Sequence, residues 1–219
     1  MTAKNTLLPP HFYQSIDGWF DFDDIYRQAV VDAVDGSRMV EVGTWLGRSA
    51  AFLAVEIRRS GKNVSLWCVD TFRGTRGEAV HGPVVLNHGG SVRQAFELAM
   101  RRGGVRDLIQ VIESESHTAA ERFQEESLDF VFIDADHSYE EVKRDIAAWI
   151  PKIKCGGVLA GHDHCEQFPG VVRAVTEAFS RYDAERRRRS TALRLADAAN
   201  FAAIPAYTAA FTSGERERA

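Results

Sequence analysis

Along the chain, short runs of apolar and β-branched residues alternate with longer stretches in which apolar positions recur every three or four residues. The first run, Arg38 to Gly43, predicts a strand. Gly47 to Ser60 then predicts a helix that turns Ala51, Leu53, Ala54 and Ile57 toward a core. Val64 to Asp70 predicts a second strand, Val92 to Arg102 a helix, and Leu108 to Ile112 a third strand. Leu128 to Asp134 is almost wholly apolar until its terminal acid, as in a central parallel strand covered on both faces. Tyr139 to Ile150 predicts a helix stopped at Pro151, Gly156-Gly157 a turn, Val158 to Gly161 a fifth strand, and Gly170 to Tyr182 a further helix. Upstream, Asp21 to Val34 has helical spacing suited to capping one sheet face. This alternation, with no internal repeat, predicts the α/β class: a Rossmann-like doubly wound sheet, mainly parallel, with helices on both faces.

Two segments stand outside that rhythm. Thr71 to Gly90 is too long for a minimal connection and is expected to pack over the site as a lid. After Tyr182 the pattern fails: Arg186 to Arg189 is a charge run, and the remainder is Ala-rich with a polar end. Residues 1–182 are therefore expected to form one domain with an N-terminal helical cap. Residues 183–219 are expected to be an atypical tail that either completes the sheet or is partly disordered.

Composition narrows the partners. A chain of 219 residues with 45% apolar content suits a single core. A net charge of −4 gives no global attraction to nucleic acid or an anionic membrane, so a small-molecule substrate is expected. Cys68, Cys155 and Cys165 are odd in number and widely spaced, which suggests neither a disulfide framework nor a zinc cluster and fits the cytoplasm. No export signal or membrane span is expected.

In an open parallel sheet the ligand lies outside the carboxyl ends of the strands, so the residues after each strand carry the chemistry. After the first strand, Gly43 and Gly47 bracket a tight turn, and the amides of Gly47, Arg48 and Ser49 can receive a carboxylate. Glu41 is placed to attract an ammonium group, and Asp70, after the second strand, to accept from ribose hydroxyls; its bland reading is a turn cap. The turn lacks the middle Gly of a G-x-G-x-x-G dinucleotide fingerprint, which disfavours an NAD enzyme. Ser116, in Glu113-Ser114-Glu115-Ser116, can meet an adenine edge or cap a helix. Trp19, Phe20 and Trp45 can line an apolar pocket or pack the core, and Arg48 can answer a substrate anion.

Glu41, Gly43, Gly47 and Ser49 in the spacing Glu-x-Gly-x-x-x-Gly-x-Ser, with Phe132-Ile133-Asp134-Ala135-Asp136-His137-Ser138-Tyr139 and Gly156-Gly157-Val158-Leu159-Ala160-Gly161-His162-Asp163, resemble the class I methyltransferases. The likeness is to their small-molecule O-methyltransferase branch and covers about Gly18 to Tyr182. It implies S-adenosylmethionine as methyl donor, bound by Glu41, Gly43, Gly47, Ser49, Asp70, Ser116 and Asp134, and a homodimer. It also implies a divalent metal, Mg or Mn, at Asp134, Asp163 and His164. The metal-dependent relatives commonly have acidic or amide side chains at the final pair, and His162 and His164 depart from that pattern. His137 is expected at the start of the helix after the fourth strand, where the dipole keeps imidazole neutral, and is the candidate general base beside Asp134.

The function expected is O-methylation of a small-molecule hydroxyl, on a sugar or secondary metabolite. The alternatives are a noncatalytic nucleoside-binding protein of the same fold, and hydrolysis at a metal centre using the same His and Asp residues.

Overall fold

A computed structural model describes residues 10–75, 78–178 and 180. Five strands form one sheet: β1 (Arg38–Val42), β2 (Ser65–Asp70), β3 (Ile109–Glu113), β4 (Leu128–Ile133) and β5 (Ile153–Gly161). Their order is β3-β2-β1-β4-β5, and every pairing is parallel. The helices are α1 (Asp23–Asp32), α2 (Arg48–Ser60), α3 (His81–Asn87), α4 (Arg93–Arg102), α5 (Ser116–Ala120), α6 (Tyr139–Trp149) and α7 (residues 169–178).

The expected doubly wound sheet follows from burial on both faces. Phe52 and Leu53 of α2 and Phe96 and Met100 of α4 pack with Met39, Leu66 and Phe132 on one face. Ile146 and Trp149 of α6 and Val171 and Val175 of α7 pack with Val40, Val131 and Leu159 on the other. An odd–even split of each strand between two helical layers is what a strand apolar at nearly every position requires. Helix α1 lies against α2, and its Tyr26 is fully buried among Phe22, Phe130 and Phe132.

Two expectations need correction. The turn at Gly156-Gly157 lies inside β5, which begins five residues earlier than the expected Val158, at Ile153. The register steps from Leu128↔Ile153 to Phe130↔Val158, a bulge. A Cβ on Gly157 would stand 2.9 Å from the Leu128 carbonyl oxygen, so glycine serves the bulge rather than a chain reversal. The Thr71–Gly90 stretch also contains α3, which its Gly- and His-rich composition hid. The tail at 183–219, and with it the domain boundary, falls outside the described residues. No helix among the described residues is long and apolar enough to cross a membrane.

Candidate active site

The strand order reverses between β1 and β4. From β1 the chain passes to α2 on one face, from β4 to α6 on the other, and a crevice opens between them. A cavity of about 630 Å³ fills it, running from the Ser114–Ser116 turn after β3, past Asp70 after β2 and Thr44 after β1, to Asp134 after β4 and His162 after β5. Its size suits a drug-sized ligand.

Gly43 sits at the crossing point with φ +88°, and a Cβ there would stand 1.8 Å from the Asp134 carbonyl oxygen. Its amide donates to Val69 O, and the Asp134 amide to Val42 O, both at 2.8 Å. The glycine thus lets three strand ends meet and also lines the cavity. Gly47 has a different task. It caps α2 with φ +92°, its missing Cβ faces Phe96 and Met100, and its amide donates to Thr44 O. It is not among the cavity-lining residues, so of the three expected amide-bearing residues Arg48 and Ser49 remain at the wall.

Glu41 does not line the cavity either. It is 1% exposed, accepting from Tyr26 Oη at 2.7 Å and Thr44 Oγ1 at 2.8 Å, with Ser49 and Cys68 also bonded to it. Burial raises its pKa, and these hydrogen bonds oppose the rise. The carboxylate expected to meet an ammonium group instead anchors Thr44 and Ser49, which do face the cavity. Asp70 reaches the cavity as expected, with its oxygens accepting the Trp45 and Phe72 amides, both at 2.6 Å. That pairing fixes its rotamer and leaves further lone pairs for a ligand.

Beyond β4 and β5, carboxylates and imidazoles alternate in a chain. His137 Nδ1 lies 3.0 Å from Glu78 Oε1 and its Nε2 2.7 Å from Asp163 Oδ2. Asp163 Oδ1 lies 3.3 Å from His162 Nδ1, and His162 Nε2 2.8 Å from Asp21 Oδ1. Asp134 Oδ1 stands 3.8 Å from His162 Nδ1. Burial works against charge on His137, but Asp163 and Glu78 overcome it and raise its pKa. The same contest, with Asp163, Asp134 and Asp21 as the anions, pushes His162 up to about 9. Asp163 is correspondingly held below the carboxylate range by the two rings, against its burial. Asp134 goes the other way: desolvation, eased by His162 and reinforced by Asp163, lifts it to about 6.

This revises the expectation of a neutral His137. Two carboxylates grip its two nitrogens and favour the protonated ring against the helix dipole. It also revises the metal set. The side chains that converge within 4.8 Å are Asp134, His162 and Asp163, whereas His164 stands outside this group. A metal there would take the place of the proton that Asp21, Asp134 and Asp163 favour on the His162 ring. With that proton displaced, the trio would offer two carboxylates and one imidazole, a mixed donor set that suits Mn²⁺ better than Mg²⁺.

At the opposite end, Ser116 lines the cavity but caps no helix; the N-cap of α5 is Glu115, with no side-chain bond. The Trp149 indole donates to Ser116 Oγ at 3.0 Å, and Ser116 hydrogen-bonds Asp145 of α6. Asp145 is 3% exposed and lines the cavity. Over the Asp134 end, Trp45 and Trp19 both tilt against the His81 ring, with Trp45 the nearer at 4.4 Å between centroids. Phe20 packs inward on Tyr13, Phe22 and Phe52 instead. Arg48 Nη1 donates to Gly18 O at 2.9 Å, pinning the segment that carries Trp19. The Thr71–Gly90 stretch lies on the site as expected, through Thr75, which bonds Ala135 O, and Glu78. Asp21, Glu78, His81 and Asp145 were not singled out from sequence. Asp21 and His162 are 141 residues apart, and no local pattern announces such a pair.

A family profile described as a methyltransferase domain matches residues 40–164. Among curated proteins, the chain is 24% identical over 157 residues to the uncharacterized protein y4gI of Sinorhizobium fredii; the match covers 72% of this chain and 16% of that protein. The chain thus spans a small fraction of that relative's length. Of solved structures, the O-methyltransferase NovP superposes with a TM-score of 0.58 at 21% identity, over 74% of this chain and 72% of that chain. Cofactor-bound Rv0187 from MTB superposes with a TM-score of 0.51 at 16% identity, over 75% and 72%. These likenesses establish a shared fold.

Proposed function

The chain belongs to the methyltransferase domain family, and from that premise we propose that it moves a methyl group from S-adenosylmethionine to a hydroxyl of a small molecule, a sugar or secondary metabolite. The observation that carries this reading is one continuous cavity with a nucleoside-compatible carboxylate, Asp70, near one end and a carboxylate poised to take a proton, Asp134, at the other. The donor-side groups suit a zwitterionic nucleoside: Asp70 has lone pairs for vicinal hydroxyls, and the backbone amides at the α2 N-terminus are donors for a carboxylate.

When bound, the donor supplies an electrophilic methyl on a sulfonium. The protein has to align an acceptor hydroxyl and take its proton. Asp134 is the group for that task, because at about 6 its pKa leaves it ionised at neutral pH yet more basic than an ordinary carboxylate. His162, with its pKa at about 9, is a cation that stabilises negative charge near Asp163 and Asp134, and His137, bonded at both nitrogens, holds the acceptor end in place. Trp19, Trp45 and His81 form an aromatic wall against which a sugar or phenolic ring can rest. No step is routed through a metal.

Two measurements test the reading. Mass spectrometry of purified protein should find S-adenosylhomocysteine, or calorimetry should find it binding in the micromolar range or tighter. A screen with labelled methyl donor against hydroxylated sugars and phenols should then label an acceptor. Donor binding without any labelling across both classes would favour the noncatalytic alternative, and turnover without donor would favour hydrolysis.

A further inference from the structure

We propose that Asp145, held by Ser116 at the α5–α6 end of the cavity, reads the amino-pyrimidine edge of the donor's adenine, accepting from its N6 amine and donating a carboxyl proton to N1. This rests on the donor reading above. The argument begins with direction. Along the sheet the cavity runs from the turn after β3 to the ends of β4 and β5. A nucleoside whose ribose meets Asp70, after β2, and whose reactive end points to Asp134, after β4, has its base left over the turn after β3. Ser114, Glu115, Ser116 and His117 line that end, with Glu141, Arg144 and Asp145 of α6 opposite.

Asp145 is the buried member of this group. Ser116 Oγ accepts the Trp149 indole proton, so its own hydrogen is free to go to the carbonyl oxygen of the Asp145 carboxyl, which keeps a second lone pair for N6 while the carboxyl O–H is left for N1. Around Asp145, desolvation comes first in holding its proton, up to about 7; Glu141 on its own helix and Asp136 before that helix reinforce this, while Ser116 and Arg144 oppose it. A neutral carboxyl offers one donor beside one acceptor. That is the complement of adenine's N1 and N6, whereas a carboxylate would meet N1 lone pair to lone pair. On this account Ser116 is a positioning residue for Asp145 rather than the adenine contact.

The test is calorimetric binding of S-adenosylhomocysteine to wild type, Asp145→Asn and Asp145→Ala at pH 6 and pH 8.5. Asparagine mimics the neutral acid, with an N–H donor beside a carbonyl acceptor. With the carboxyl titrating at about 7, about one molecule in 30 keeps the proton at pH 8.5. Wild type should therefore lose roughly 30-fold in affinity relative to Asp145→Asn between the two pH values, while binding within about 3-fold of it at pH 6. All other titrating groups are common to both proteins, so the ratio isolates Asp145. Asp145→Ala should bind at least about 10-fold more weakly than wild type at pH 6. A wild-type to Asn ratio that does not change with pH, or an alanine variant that binds like wild type, overturns the proposal and leaves the donor reading standing. Failure of wild type to bind at either pH overturns both.

Discussion

Gly43 and Gly36 share the same φ of +88° but face different surroundings, and substituting alanine at each separates two effects usually confounded. An L-residue in the left-handed region costs roughly 1–2 kcal/mol, and at Gly36 that is the whole effect, since nothing lies within 4 Å of its would-be Cβ. At Gly43 the added carbon would stand 1.8 Å from the Asp134 carbonyl oxygen, where contacts under 3.0 Å are essentially never seen, so β1 and β4 must part by more than 1 Å. That strains the 2.8 Å bonds from Asp134 N to Val42 O and from Gly43 N to Val69 O, each worth about 0.5–1.5 kcal/mol net. Gly43→Ala should therefore destabilise by about 2–5 kcal/mol, and Gly36→Ala by about 1–2. Urea denaturation measures both. Calorimetry should in addition show weakened S-adenosylhomocysteine binding for Gly43→Ala alone. Equal losses for the two variants would mean that the strands tolerate the intrusion and that the crossing point is not rigid.

Three further outcomes follow from the acceptor end. Removing His137 leaves Asp163 as a buried charge short of a partner, so His137→Ala should cost about 3 kcal/mol. Because the folded pKa of His137 lies above its unfolded value, that stabilisation is complete below about pH 6.5 and fades as pH rises through the folded value; denaturation at pH 6 should show a larger gap from wild type than at pH 9. For the acceptor found by the labelling screen, kcat should rise with pH through about 6, and Asp134→Asn should lower it about 10²–10⁴-fold and abolish that limb; a wild-type profile flat across the region would remove Asp134 as the base. Trp19, which is 42% exposed, offers contact area rather than chemistry, so Trp19→Ala should raise KM with kcat held; a fall in kcat at constant KM would contradict this.

The sheet was legible because each strand is a short apolar run between turn residues, and β1, β2 and β4 lie within a residue of where alternation put them. β5 was shortened in the reading because two adjacent glycines signal a turn and a bulge alike, and only the Leu128 carbonyl decides between them. At the site, positions along the strands were readable but partners were not. Asp70, Ser49, Asp134 and His137 all line the cavity. Glu41 faces away because Tyr26, brought by a helix from outside the strand pattern, donates to it. His137 favours its protonated form because Glu78, from the stretch read as a lid, bonds one nitrogen while Asp163 bonds the other. Protonation depends on surroundings assembled from distant segments, and a linear pattern does not contain them.

The residues shared with the family, 40–164, leave out Asp17, Trp19, Asp21 and Tyr26. Yet Asp17 and Trp19 wall the cavity, Asp21 closes the carboxylate–imidazole chain, and Tyr26 anchors the carboxylate behind the first loop. Part of the cavity wall is thus furnished by a segment that precedes the residues shared with the family. On the proposed function, exchanging residues 17–26 would reshape the wall around the acceptor and at the same time loosen the Tyr26 support of Glu41 behind the first loop, so the two ends of the cavity would respond together.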